Sequence, residues 1–131
     1  MTREAAIRNY YSSWERGDWS GLENLLAVGF TFTSPNDDDH IDQPAFKEKC
    51  WPEAECIERF ELETVVGNGD DAFVKYLCRT KNGRSFRNVE YWRFAGEKVK
   101  SIEVYFGGRQ GYPSQNASGN LIQNPVPHED Q

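Results

Sequence analysis

The sequence predicts an α+β domain, and three observations carry that prediction. An amphipathic stripe opens the chain: Ile7, Tyr10, Tyr11 and Trp14 fall at i, i+3, i+4 and i+7, one face of a helix. Three turn signals, Asn68-Gly69-Asp70, Asn82-Gly83 and Ala95-Gly96-Glu97, divide the second half into four runs rich in Val, Phe, Tyr and Trp. Helices first and an antiparallel meander afterwards put the helices on one face of the sheet. The third observation is aromatic content. Eight Phe, six Tyr and four Trp in 131 residues supply large buried areas each, enough for one domain with its own core.

The elements follow in order. Gly17 ends the first helix in the usual glycine manner. Asp18 or Ser20 caps a second, short helix whose apolar face is Leu22, Leu25 and Leu26, with Gly29 as its stop. Phe30-Thr31-Phe32-Thr33-Ser34 alternates with period two and reads as a half-buried strand, closed by Pro35. An acidic loop from Asn36 to Asp39 leads to His40. A third helix starts at Pro44, a favoured first helical position, with Phe46 and Cys50 on one face, and Pro52 forbids its continuation. The four strands then follow. From Gly107 the composition shifts to Gln, Asn, Ser, Gly and Pro, so residues 1–108 are expected to form the domain. Residues 109–131 are expected to form a polar tail, mobile or loosely docked.

Charge and composition exclude several functions. A net charge of −6 with scattered Lys and Arg does not make the clustered basic surface that nucleic acid requires. No stretch reads as a signal peptide or reaches the length of a membrane span. Cys50, Cys56 and Cys78 are an odd number without CxxC spacing. The expectation is therefore reduced thiols in a cytoplasmic protein, with neither nucleic acid nor membrane as partner.

Certain segments resemble a known family. Asn9-Tyr10-Tyr11-Ser12-Ser13-Trp14-Glu15-Arg16-Gly17-Asp18, the hairpin from Val89-Glu90-Tyr91-Trp92-Arg93-Phe94 to Gly96-Glu97-Lys98-Val99, and Ser101-Ile102-Glu103-Val104-Tyr105-Phe106-Gly107 are similar to the first helix, last hairpin and closing strand of SnoaL-like proteins in the nuclear-transport-factor-2-like superfamily. Ser34-Pro35-Asn36-Asp37-Asp38, Cys50-Trp51-Pro52 and Phe86-Arg87-Asn88-Val89-Glu90 sharpen the likeness, which covers roughly residues 5 to 108. It implies a cone-shaped fold in which three N-terminal helices and a curved antiparallel sheet enclose a pocket. It implies no reaction, since the fold hosts isomerases, cyclases, hydrolases and non-enzymatic binding domains. By resemblance to the ketosteroid isomerases, the phenol of the first helix falls on Tyr10 and the carboxylic acid of the penultimate strand on Glu90. Their catalytic base falls on Ser34, which cannot serve as one.

Glu90 is the most informative position. Strand alternation puts Asn88, Glu90 and Trp92 on one face and Val89, Tyr91 and Arg93 on the other, and leaves open which face is covered. The family register covers the first. A carboxyl there would be desolvated and its pKa raised, toward the range useful for acid–base work. Tyr10 and Asn88 would donate hydrogen bonds, and Asp38 or His40, at the pocket mouth, could replace the missing base. Trp14, Phe32, Ser34, Trp51, Trp92 and Phe106 are expected as pocket wall.

Other readings weigh less. Asp37-Asp38-Asp39-His40 lacks the glycine and the spaced ligands of a calcium loop, and only His128 could add a second imidazole for zinc, so no metal is expected. Cys50, beside Trp and Pro without a nearby His, reads as a packing residue. No cofactor motif occurs. The function expected is binding of, or cofactor-independent isomerase- or cyclase-type chemistry on, a small apolar molecule with a carbonyl or hydroxyl group. Enzyme and non-catalytic binding domain both remain open. Tyr91 and Tyr105 on the opposite face predict a homodimer through the sheet.

Overall fold

The computed structural model describes residues 1–36 and 38–107, together with the backbone of a short antiparallel pair, Ser114–Gln115 with Leu121–Ile122. The expectation of a polar tail over 109–131 otherwise lies outside the described residues. The elements are α1 (Arg3–Arg16), α2 (Trp19–Glu23), β1 (Leu26–Ser34), β2 (Asp38–Ile41), α3 (Gln43–Lys49), a 3₁₀ helix (Trp51–Cys56), β3 (Ile57–Asn68), β4 (Asp71–Thr80), β5 (Ser85–Ala95) and β6 (Lys98–Gly107).

The expected amphipathic stripe forms α1. Thr2 caps its first turn by accepting from the Ala5 amide, and Gly17 at φ 65° lets the amides of Gly17 and Asp18 close on the carbonyls of Trp14 and Ser13. Ile7, Tyr10, Tyr11 and Trp14 are all buried, so the helix lies on the sheet along its predicted face. The sheet order is β2-β1-β6-β5-β4-β3. Every neighbouring pair is antiparallel except β1 with β6, which run parallel. The curved sheet is not closed, and the three helices cover its concave side. The core lies between these layers, with Trp92, Phe30, Phe46, Leu22, Val99 and Ile102 fully buried.

Two expected boundaries are corrected. The second helix was expected to run through Leu25 and Leu26 to a stop at Gly29, but it ends at Glu23; Leu25 lies in the turn that follows and Leu26 opens β1. A five-residue helix holds few hydrogen bonds, while Leu26 pairs with Val99 on β6 and the Leu25 carbonyl accepts from the Val99 amide. Gly29 sits inside β1 at φ 82°, where the register with β6 shifts between Leu26 and Thr31, as a bulge glycine does. The acidic segment is also more ordered than expected. Asp38–Ile41 forms β2, paired with β1 through Ser34↔Asp38 and Phe32↔Ile41. The third helix begins as expected, with Asp42 capping and Pro44 in the first turn, and after Cys50 the chain tightens to the 3₁₀ helix around Pro52.

Candidate functional site

β5 is an inner strand, flanked by β4 and β6, and its alternation settles which face is covered. Asn88, Glu90, Trp92 and Phe94 are buried, while Arg87 and Arg93 are exposed. In register, Glu90 lies between Val74 of β4 and Val104 of β6, so apolar neighbours surround the carboxyl within the sheet. Above it lies α1. Glu90 is only 6% exposed and lines a half-enclosed cavity of about 310 Å³ between helices and sheet. That volume is at the small end of the range for small-molecule sites, about 300–1,000 Å³.

Two phenols hold the carboxyl. Tyr11 Oη donates to Glu90 Oε1 at 2.5 Å and Tyr76 Oη donates to Glu90 Oε2 at 2.7 Å. Asn88 Nδ2 in turn donates to Tyr76 Oη at 3.0 Å, extending the chain along the strand pair. The Trp92 indole N–H has no formed hydrogen bond among the described residues, yet faces the carboxyl closely enough to favour its ionised form as a donor. Burial raises the Glu90 pKa above its ordinary value, and the Tyr11, Tyr76 and Trp92 donors pull it back only in part. Burial and the Glu90 charge likewise push the phenols of Tyr11, Tyr76 and Tyr10 well up. The result is a buried carboxyl and two phenols within hydrogen-bonding distance, a unit that can hold or pass a proton.

Tyr10 is corrected. It lines the cavity and packs edge-on against Trp92 at 4.8 Å, but it is not a donor to Glu90. Adjacent helical residues point about 100° apart, and the one whose hydroxyl reaches Glu90 is Tyr11. A direct consequence is that Tyr11→Phe, which removes a hydrogen bond to a charged group, should cost about 1.5–3 kcal/mol where Glu90 is ionised. It should also raise the Glu90 pKa further. Tyr10→Phe should leave that titration in place, so carboxyl NMR on the two variants separates the roles.

Asp38, 5% exposed, also lines the cavity. Ser34 Oγ donates to its Oδ2 at 2.9 Å, and Lys49 Nζ lies 2.6 Å from its Oδ1. The serine at the position of the missing base thus touches the carboxylate expected to replace it. His40 is corrected: it is exposed, bonds Asp39 Oδ1 at 2.6 Å and does not line the cavity. Its backbone at φ 54° is pinned by its own N–H, which donates a hydrogen bond to Thr33 Oγ1, and its ring is exposed. Phe32, Trp14, Phe106 and Ser34 line the cavity. Trp51 and Trp92 do not. Trp51 packs on Trp14 and Trp19 behind the wall, and Trp92 is core beneath Tyr10 and Tyr11.

Sequence reasoning missed Tyr11, Tyr76, Lys49, Glu53, Phe60 and Cys78, all of which line the cavity. Burial and neighbouring carboxylates push the Cys50 and Cys78 thiols up to about 12, so both stay protonated and Cys50 is no nucleophile. No group of three or more metal-ligating side chains occurs among the described residues, and no helix among them is long and apolar enough to cross a membrane.

The architecture and the buried carboxyl can now be set against known proteins. The family model of the SnoaL-like domain matches residues 7–102. The chain belongs to the SnoaL-like domain family. No curated protein matches it. Solved structures similar to it include a nuclear-transport-factor-2-like protein of unknown function from Cytophaga hutchinsonii, 17% identical, with a TM-score of 0.65 over 82% of this chain and 91% of that one. A ketosteroid isomerase-like protein from Catenulispora acidiphila, crystallised with trimethylamine, is 13% identical with a TM-score of 0.65 over 79% and 86%. TerC, co-crystallised with polyporic acid, is 15% identical with a TM-score of 0.68 over 80% and 91%. At these identities the likeness establishes the SnoaL-like fold alone.

Proposed function

We propose that this SnoaL-like domain binds a small, largely apolar molecule bearing a carbonyl or hydroxyl group, and that Glu90 exchanges a proton with it. The observation that carries the reading is the Glu90 carboxyl itself. It lines the cavity, is buried, and is held by two phenols rather than by a cation. A structural carboxylate would be expected to have a compensating positive charge. A carboxyl kept protonation-competent by burial suits general acid–base work. Cofactor-independent isomerase- or cyclase-type chemistry fits this equipment. Tyr11, Tyr76 and Asn88 are the neighbouring donors, and Asp38 is the second carboxylate. That two structural neighbours were crystallised with small organic molecules supports a small-molecule reading.

A second reading, a non-catalytic ligand-binding domain, is favoured by one observation. Asp38 already has the Lys49 ammonium on one oxygen and the Ser34 hydroxyl on the other, so neither oxygen is open to a substrate. A melting-temperature screen with steroids, polyketides and terpenoids, followed by product analysis with wild type and Glu90→Gln, decides between them. Turnover lost in Glu90→Gln supports catalysis. Binding without any product in the wild type supports the second reading.

The homodimer belongs to the same proposal. Phe73 stacks on Tyr91 at 5.0 Å on the outer face of the sheet, where Phe73 and Tyr105 stay about half exposed. Aromatic patches of this kind mark contacts between copies. Light scattering at micromolar concentration should give about twice the chain mass of 15.1 kDa. A monomer mass would refute the dimer.

A further inference from the structure

The cavity has a sign. Its ionisable lining comprises the carboxyls of Asp38, Glu53 and Glu90 against a single lysine, and that lysine, Lys49, lies 2.6 Å from Asp38 Oδ1. Glu90 is held by the phenols of Tyr11 and Tyr76, with no ion pair to it among the described residues. The other titrating groups of the lining register the same field. After burial, Glu90 and Glu53 push up the Cys78 thiol, Asp38 and Glu53 the Cys50 thiol, Glu90 the Tyr10 phenol, and Asp38 the Glu53 carboxyl. A potential that resists a second negative charge attracts a positive one.

The walls and the polar groups point the same way. Tyr10, Tyr11, Trp14, Phe32 and Phe60 line the cavity, and aromatic rings attract cations through their negative faces. Asn88, 5% exposed, lines the same end as Glu90, and its amide oxygen accepts from nothing among the described residues. The group left wanting is an acceptor, so the ligand must bring a donor. An anion would meet only a lysine already held by a carboxylate.

We infer that the ligand carries a basic nitrogen and binds as an organic ammonium ion, its charged end at Glu90 and its apolar body along the aromatic wall. This rests on the proposed use of the cavity and adds to its ligand a requirement of its own, an amine that bears N–H, whether or not a carbonyl or hydroxyl group is also present. The proton balance is simple. A free amine takes the proton of neutral Glu90, or an ammonium ion enters and that proton passes to solvent, and either route leaves an ammonium–carboxylate pair. With the cation bound Glu90 stays ionised, so in the acid–base reading it enters turnover as the base.

The test uses matched ligands on the wild-type protein: benzylamine and 1-naphthylmethylamine against benzyl alcohol, 1-naphthalenemethanol and benzoate, by calorimetry at pH 7. The expected result is that each amine binds at least about tenfold tighter than its alcohol, a difference of about 1.4 kcal/mol, with benzoate weakest. In Glu90→Gln the gap between amine and alcohol should close. Alcohols that bind as well as amines would overturn the ammonium reading while leaving the cavity reading standing. A gap that survives in folded Glu90→Gln would overturn the assignment to Glu90. Binding by none of the five would overturn both readings.

Discussion

Replacing Glu90 by glutamine should leave the protein as stable as wild type in acid and more stable than wild type above neutral pH, while abolishing any turnover that needs its proton. The sign follows from the raised pKa, whose largest cause is burial. In the folded state the protonated carboxyl is favoured over the unfolded state. Glu90 therefore contributes stability that is fully present below its unfolded pKa and is lost as pH rises through the folded one. Glutamine keeps the shape and cannot ionise. The difference in unfolding free energy between variant and wild type should be near zero at about pH 4, close to the unfolded glutamate value. It should grow with pH and then flatten. Taking the difference matters because Glu61 and Glu63 act oppositely. Arg79 and Arg59 hold the Glu61 carboxyl down, and Arg87 holds the Glu63 carboxyl down. Their stabilisation is lost as pH falls and is common to both proteins. Urea unfolding from pH 4 to 9 measures the curve. A variant less stable than wild type at pH 8 would show that the two phenols outweigh the burial.

Phe46→Ala should cost about 3–5 kcal/mol, the range for truncating a buried aromatic. Phe46 is fully buried and is the single buried residue of α3. Its ring meets Phe32 at 4.7 Å, Phe30 at 5.4 Å, Trp14 at 6.1 Å and Trp19 at 6.2 Å. Removing it opens a void bounded by four rings on three elements, which cannot collapse without moving α1, α2 and β1 together. Against a total of about 5–15 kcal/mol for a domain, this is a large fraction. The effect should also reach the site. α3 ends at Lys49, whose ammonium faces Asp38 in the cavity lining, so a loosened helix displaces that part of the wall. Urea denaturation should show a lower midpoint with an unchanged slope. A loss below about 1.5 kcal/mol would mean that the neighbouring rings close the void.

The fold was legible because its signals are periodic and local. The stripe Ile7, Tyr10, Tyr11 and Trp14 packs as drawn, and the glycine-bearing turns separate four strands where expected. β1 was misjudged because Leu25 and Leu26 continue a helical spacing from Leu22. What ends the helix before them is the partner Val99, some seventy residues away, which pairs with Leu26 and bonds the Leu25 carbonyl and which no local pattern reveals. The site was half legible. Alternation from the Asn88-Val89-Glu90 segment correctly grouped the buried face, yet the partners of Glu90 depended on quantities that the sequence does not display.

Tyr11 instead of Tyr10 is a matter of helix rotation, since both lie in the apolar stripe. Tyr76 is a matter of hairpin register. Asn82-Gly83 taken as a two-residue turn would set Tyr76 opposite Val89, on the outer face. The actual loop is longer: Arg79 pairs with Ser85, so Tyr76 falls opposite Asn88 and turns inward. One residue of loop length exchanges the two faces of a strand. That slip would take the second phenol away from the carboxyl.

The central claim is that Glu90 is a buried, abnormally weak acid in the wall of the cavity, and carboxyl NMR titration tests it most directly. With ¹³C-labelled glutamate and Glu90→Gln to assign the resonance, the account predicts a midpoint clearly above the ordinary glutamate value of 4.5. Tyr11→Phe should raise that midpoint further. A Glu90 midpoint at or below 4.5 would contradict the account, because it would make this carboxyl an ionised structural acceptor for Tyr11 and Tyr76.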